Sequence, residues 1–223
     1  VTKATARLLH EAGVDFAILG PKESCTGDPA RRSGNEYLYQ QLALSNIETL
    51  NDLGVERVIT QCPHCFNSLA NDYPQLGGDY EVVHHSQLLM ELVGSGSLDT
   101  TAATGKKPEI TFHDPCYLGR HNDVYVAPRE VVSAAGASLK EMERNGTNAM
   151  CCGAGGARFW MEEQTGKKVN VERAEQAIAT GAEEVAVGCP YCYVMIDDGV
   201  KELGSEMRVR DISMILADSV FEE

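Results

Sequence analysis

Apolar positions along the chain follow two alternating rhythms. Short runs rich in β-branched residues, at Val14–Leu19, Val55–Gln61, Tyr80–Val83, Glu109–Phe112 and Glu184–Gly188, have the length and composition of buried strands. Longer stretches with apolar residues three or four apart predict helices at Asn35–Leu53, Ser86–Val93, Val124–Ala135, Val169–Thr180 and Asp211–Phe221. The chain opens at Val1 on another amphipathic run. Strands alternating with helices predict an α/β class, with small, mostly parallel sheets flanked by helices. Gly54 and Gly181 each close a helix ahead of a strand, the position that glycine's left-handed freedom suits best. Small, polar, aperiodic residues from Gly94 to Gly105 predict a linker over residues 95–107.

The pattern occurs twice. Cys25, Cys62 and Cys65 recur as Cys152, Cys189 and Cys192, all three displaced by one constant offset. At the same offset Arg31 recurs as Arg158, Glu36 as Glu163, Gly54 as Gly181, Val58 as Val185 and Pro63 as Pro190. An offset that holds without a gap across so many positions indicates a duplicated unit. The expected division is an N-terminal unit over 1–94, the linker, and a C-terminal unit over 108–223, related by pseudo-two-fold symmetry. The first unit reads as a truncated, degenerate copy: Ser24 stands where the second has Cys151, and the counterpart of Cys116 would fall before residue 1. The opening on Val1, already inside a helical run, points to a piece of something longer.

Composition narrows the chemistry. With 19 Lys and Arg against 33 Asp and Glu, the formal net charge is −14, and no basic cluster offers the phosphate neutralisation that nucleic-acid binding needs. No apolar run approaches the ~20 residues of a membrane span. Eight cysteines in a chain of 223 residues with core-forming segments throughout and no export signal fit a reducing compartment and a metal site better than a disulfide framework. Each Cys-Pro-x-Cys follows a strand and precedes a helix. In open α/β sheets ligands bind at that edge, and the helix's unpaired N–H groups favour anionic sulfur. Cys151-Cys152 is vicinal, and Gly153, Gly155 and Gly156 supply the backbone freedom that two adjacent ligands require.

The run His113-Asp114-Pro115-Cys116, then Cys151-Cys152-Gly153, then Cys189-Pro190-Tyr191-Cys192 resembles the cysteine-rich CCG domain. That domain occurs in tandem in heterodisulfide reductase and in iron–sulfur subunits of glycolate, lactate and glycerol-3-phosphate oxidoreductases. It also occurs in membrane Fe–S oxidoreductases that pass electrons from electron-transfer flavoprotein to quinone, and the segments Glu23–Glu36 and Val169–Arg173 look most like this last group. The resemblance implies a [4Fe–4S] cluster, cubane or noncubane, held by Cys116, Cys151, Cys152, Cys189 and Cys192, a five-cysteine set that in heterodisulfide reductase holds a noncubane assembly. In the first unit it matches only Cys25, Cys62 and Cys65, for which a second cluster, zinc or no metal stay open. The function implied is an electron-transfer module of an Fe–S oxidoreductase. Its partners would be a flavoprotein donor, a membrane or ferredoxin-like part of the same complex, and quinone. The location implied is cytoplasmic, at the inner membrane through an upstream region or a partner.

Alternatives from other classes stand beside this reading. Four thiolates also make a structural zinc site, which would leave a scaffold that docks redox partners. A noncubane cluster would allow thiol or heterodisulfide chemistry, and Cys-x-x-Cys can serve as a redox dithiol without metal. His113 reads either as a donor to the site or as a turn residue, and His64 as a local ligand or a donor. His84 and His85 read as a strand-end pair beside the equivalent of Asp211, there to meet a partner or quinone or only to satisfy a loop. Arg31 and Arg158 read as charge compensation for anionic clusters or as ordinary ion pairs, and Phe159, Trp160 and Met161 as core.

Overall fold

The glycines that close helices set the frame of both units. In the computed structural model, which describes residues 1–100 and 108–221, Gly54 and Gly181 take φ of 65° and 72°. Each reverses the chain out of a helix and into a strand. The N-terminal unit runs α1 (Thr2–Glu11), α2 (Asp28–Arg32), α3 (Glu36–Asp52), β1 (Arg57–Thr60), α4 (Pro63–Asn67), β2 (Glu81–His84) and α5 (His85–Gly94). The C-terminal unit runs β3 (Glu109–Phe112), α6 (Val126–Ala134), β4 (Ser138–Leu139), α7 (Val169–Ile178), β5 (Glu184–Val187), α8 (Pro190–Glu202), β6 (Arg208–Asp211) and α9 (Ile212–Phe221). Asn35 caps α3 by accepting the Leu38 N–H at 3.1 Å, and Pro63 and Pro190 open α4 and α8 where no N–H is needed.

All strand pairs among the described residues are parallel. β1 pairs with β2, and the second sheet has the order β4-β3-β5-β6. The repeat offset carries β1 onto β5, β2 onto β6 and α5 onto α9 end to end, so the repeat extends to the last described residues. The edge strand β6 has no counterpart in the sequence reading. Its Arg-Val-Arg-Asp run hides the apolar signal, because only Val209 of its first three residues is buried.

One predicted strand is overturned. Residues 14–19 form no regular structure, and Phe16 and Ile18 are exposed. In the C-terminal unit the segment after α6 pairs with β3. The N-terminal unit has no equivalent of β3 among the described residues, so the apolar stretch that follows α1 has no such strand to pair with. Apolar composition without a neighbouring edge does not make a strand.

The two units share their central core. Leu8, Leu89, Phe112, Val131, Ile212 and Leu216, from both units, are fully or almost fully buried in one cluster. The exchange is reciprocal: α1 packs on α9 while α6 packs on α5, and α5 touches α9 between them. Leu98, in the predicted linker, is only 2% exposed and packs into the same cluster, and residues 101–107 of that linker lie outside the described residues. Each unit adds a local core, around Tyr39, Ile47 and Tyr73 in the first and Val185, Ile196 and Val200 in the second. Burying each such side chain contributes roughly 1.5–3 kcal/mol. Among the described residues no helix is long and apolar enough to cross a membrane.

A cysteine-lined site at the unit interface

Parallel strands deliver their following loops to one edge. Cys62 follows β1 and Cys189 follows β5, and these repeat-related thiols meet across the unit boundary, close enough to shift each other's titration. The contact belongs to a longer line. In the same way Cys151 interacts with Cys116 and Cys152, Cys192 with Cys152 and Cys189, and Cys65 with Cys62. Seven of the eight cysteines therefore form one continuous string. Cys25 is exposed and takes the Gly27 N–H on its sulfur at 3.4 Å. All eight are free thiols.

Aromatic rings seal the seam. His64, inside the first Cys-Pro-x-Cys, stacks on Tyr117 at 4.0 Å and meets the edge of Tyr191 at 5.2 Å, both from the C-terminal unit. Its Nδ1 bonds Asp28 at 2.8 Å, which orients the ring. In the C-terminal loop, Gly153 has φ of 99° and donates its N–H to Cys151 Sγ at 3.2 Å. A Cβ there would approach Met195 at 3.1 Å and Val169 at 3.3 Å, so both conformation and space call for glycine.

The thiols are not electrostatically alike. Hydrogen bonds from Cys116 and Cys152 hold Cys151 far below the ordinary thiol range. Burial alone would raise Cys189, but bonds from Cys192 and Cys62 bring it down to about 6. Cys152 is pushed up to about 12, chiefly by its bond to Cys151. Cys62, Cys65, Cys116 and Cys192 are raised as well, each first by a neighbouring thiol. Cys151 and Cys189 are thus the two thiols of the string shifted downward, one towards each end of the C-terminal set.

His113, just after β3, is fully buried. One of its ring nitrogens lies within 4.8 Å of the sulfurs of both Cys152 and Cys192. Its Nδ1 accepts the Arg173 Nε–H at 3.0 Å, and burial followed by the Arg173 charge lowers its pKa to about 3. Arg173, on α7, is the site residue that sequence reasoning missed. The available signal was its place on the buried helix face with Asn170, Ala174 and Ala177. Arg31 and Arg158 do less here: Arg31 pairs with Asp72 at 2.9 Å and Arg158 with Glu163 at 3.6 Å, both carboxylates. Trp160 and Met161 are exposed, against their reading as core, whereas Phe159 packs on Tyr191. His84 and His85 are buried between the units: His84 Nε2 bonds the Gly188 carbonyl oxygen at 3.1 Å and His85 Nε2 bonds Asp211 at 3.2 Å.

Two parallel sheets in tandem, with cysteine loops meeting at their strand ends, define a duplicated cysteine-rich α/β protein. The chain belongs to the CCG cysteine-rich domain family, whose sequence profile matches residues 1–70 and 110–197. It is similar to the EtfAB:quinone oxidoreductase of Syntrophomonas wolfei, at 44% identity over 225 residues, 97% of this chain and 31% of that one. The probable iron-sulfur-binding oxidoreductase FadF of Bacillus subtilis is 48% identical over 218 residues, 96% of this chain and 31% of its own. One component of the dihydromethanophenazine:CoB–CoM heterodisulfide reductase of Methanosarcina barkeri is 34% identical over 224 residues, 97% of this chain and 54% of its own. The chain therefore spans from about a third to about half of the length of these relatives.

Proposed function

We propose that this chain is the iron–sulfur electron-transfer module of an oxidoreductase that relays electrons from a flavoprotein toward quinone. The observation that carries the reading is the unbroken string of thiols from Cys116 to Cys65 through the unit interface. The donor set fits a cluster. It is all soft sulfur, it is largely buried, and His113 Nε2 and Arg173 Nη2 beside it are buried without a partner among the described residues.

Cys116, Cys151, Cys152, Cys189 and Cys192 would hold a [4Fe–4S] cluster, and a fifth thiolate beyond the four of a cubane favours the noncubane form. Cys25, Cys62 and Cys65 offer three thiols for a second cluster or zinc. When bound, the cluster supplies one-electron transfer. The chain's own residues exclude water with the ring seal of Tyr117, His64 and Tyr191, direct N–H groups at sulfur, and set net charge. The name of the Syntrophomonas wolfei relative supports an EtfAB donor and a quinone acceptor. A place in a larger complex, on the cytoplasmic side of the inner membrane, is part of the same proposal. In this reading residues 1–94 and 108–223 are the two units and 95–107 joins them.

Anaerobic purification followed by iron, acid-labile sulfide and zinc analysis, with visible absorption and EPR of the reduced protein, tests the proposal. A brown protein with about four irons or more per chain, bleached by dithionite, is expected. A colourless protein with stoichiometric zinc and no iron would make it a zinc scaffold. A metal-free protein with a reversible disulfide would make it a dithiol.

A further inference from the structure

Arg173 is a buried cation that forms no ion pair among the described residues. It is fully buried, and its Nη1 donates to the Arg144 carbonyl and Gln176 Oε1, both at 2.8 Å. Its Nε donates to His113 Nδ1, and its Nη2 has no partner among the described residues. Among those residues no acid lies within ion-pair distance of it, since nearby Asp114 is committed to Arg129 through contacts of 2.7 and 2.9 Å. A buried, uncompensated charge costs several kcal/mol. The groups whose negative charge would favour Arg173 are Asp114 first, at a distance, and then the sulfurs of Cys192 and Cys152, which become thiolates when they bind metal.

The repeat supplies a comparison. At the repeat offset, Arg173 corresponds to Asn46 and Cys151 to Ser24. The N-terminal unit has therefore exchanged one anionic thiol position and one cation for two neutral groups, and these bond each other directly, Ser24 Oγ to Asn46 Oδ1 at 2.7 Å. The counterparts of Cys152 and Cys192, Cys25 and Cys65, are kept, so the loss of the arginine goes with the loss of the vicinal thiol Cys151 and the five-cysteine set it completes.

The same arginine sets the tautomer of His113. A guanidinium Nε–H only donates, so His113 Nδ1 must accept, and the ring's proton sits on Nε2. Nε2 is buried without a partner among the described residues, while the ring lies beside the sulfurs of Cys152 and Cys192. A nitrogen that carries a proton has no lone pair for iron or zinc. Proximity alone would make His113 a ligand; the hydrogen bond from Arg173 makes it a donor.

We propose that Arg173 is the counter-ion of the C-terminal cysteine site and the positioning residue that holds His113 as a hydrogen-bond donor to sulfur instead of a metal ligand. This rests on the iron–sulfur reading of that site for its redox consequences, and for its charge balance on Cys152 and Cys192 binding a metal of either kind as thiolates. Positive charge and N–H···S bonds both favour the reduced state of a cluster.

The test uses the full chain, as wild type, Arg173→Lys, Arg173→Met, His113→Gln and His113→Leu. After anaerobic cluster reconstitution, redox titration followed by EPR should show a more negative midpoint for Arg173→Met and His113→Leu. Arg173→Lys and His113→Gln, which keep a charge or an N–H, should lie nearer to wild type. Pulsed EPR on histidine-labelled protein should show weak nitrogen coupling with an exchangeable proton. Coupling of the size of direct coordination, or an unchanged midpoint in both Arg173→Met and His113→Leu, would overturn the proposal. A second arm needs no cluster: the metal-free chain is titrated with cobalt(II) or zinc against a chromophoric chelator. Arg173→Met should lose roughly 10–100-fold in affinity, with Arg173→Lys close to wild type. If wild type never holds iron, the electron-transfer reading fails while this arm still decides Arg173, and equal affinities sink the counter-ion. Should Arg173→Met fail to fold, Arg173→Gln replaces it in both arms.

Discussion

The C-terminal unit brings five cysteines, a buried arginine and a four-stranded sheet to the interface; the N-terminal unit brings three cysteines, a Ser24–Asn46 hydrogen bond and two strands. Both keep the same local device, a strand ending in Cys-Pro-x-Cys with the next helix opened by the proline. Where the C-terminal unit has Cys151 and Arg173, the N-terminal unit has two neutral side chains, Ser24 and Asn46, bonded to each other. Asn46 bonds the Cys25 carbonyl and Tyr73, so the reduced site is a satisfied polar cluster and no unfilled gap.

The largest expected effect breaks the comparison at the metal. Cys152→Ala or Cys192→Ala should empty the C-terminal set, because both are buried in the middle of the string. Cys25→Ala, at an exposed thiol, should leave most of the iron in place. Iron and sulfide per chain, measured after identical anaerobic reconstitution, separates these outcomes. Equal loss from Cys25→Ala and Cys152→Ala would mean that the two units contribute alike.

The next effect falls on the pseudo-two-fold seam. His85 and Asp211 are 0% and 1% exposed and join the two units, and Asp211 also accepts Ser213 N–H and O–H at 2.9 and 2.6 Å. Burial would raise the Asp211 pKa, but His85 and then Ser213 outweigh it and hold the carboxyl below its usual range. Asp211→Ala should cost about 3–5 kcal/mol, because it strands buried donors. The double variant His85→Leu with Asp211→Ala should be less destabilised than the sum of its parts. Urea denaturation of the four proteins of the cycle checks this, and strict additivity would rule out a coupled pair.

A smaller effect probes packing inside one unit. At Gly199 helix α8 comes so close to α7 that a Cβ would stand 2.6 Å from the Asn170 carbonyl oxygen and 3.0 Å from Ala174 Cβ. Backbone cannot step aside cheaply, so Gly199→Ala should cost about 1–3 kcal/mol by overpacking. The repeat places Asp72 at the equivalent position, where it bridges Arg31 and Arg32 at 2.9 and 2.8 Å. A denaturation midpoint unchanged in Gly199→Ala would show that the helices have room to separate.

Much of this was legible in the chain. The constant offset between the cysteine sets, the strands that lead into Cys62 and Cys189, and the helices Glu36–Asp52 and Val169–Ile178 follow from local pattern. What pattern cannot reveal is the partner of an apolar face. Val14–Leu19 reads as a strand but has no edge to join, while Arg208–Asp211 reads as polar but completes a sheet edge. The core shared through Leu8, Leu89 and Leu216 is equally invisible, because periodicity marks a buried face without saying which unit covers it. Arg31 and Arg158 drew attention through repetition, yet each has its own carboxylate. Arg173 escaped because its meaning lies in the absence of such a partner.

The smallest effect is a slope with pH, and it tests the asymmetry at the seam. The repeat places His84 opposite Asp211, so equivalent strand ends carry groups of opposite titration. Burial, then the neighbouring His85, pushes the His84 pKa well below the ordinary 6.5, so the folded chain keeps the ring neutral. The sign follows. Below pH 6.5 the unfolded chain takes up the proton that folded His84 refuses, so the stability present above that pH declines as the medium is acidified. One such histidine contributes a slope of about 1.4 kcal/mol per pH unit below the unfolded value. In the metal-free chain His113, lowered to about 3, adds a second. Asp211 enters only lower, since its depressed carboxyl starts to lose stability as the pH approaches its ordinary value of 3.8. Urea midpoints of the metal-free chain should therefore fall steadily from about pH 6.5 to about pH 4.5, and His84→Gln should remove about half of that slope. A flat profile in wild type would mean that both rings accept protons where they stand, and that the seam is wetter than the buried His84–Gly188 contact implies.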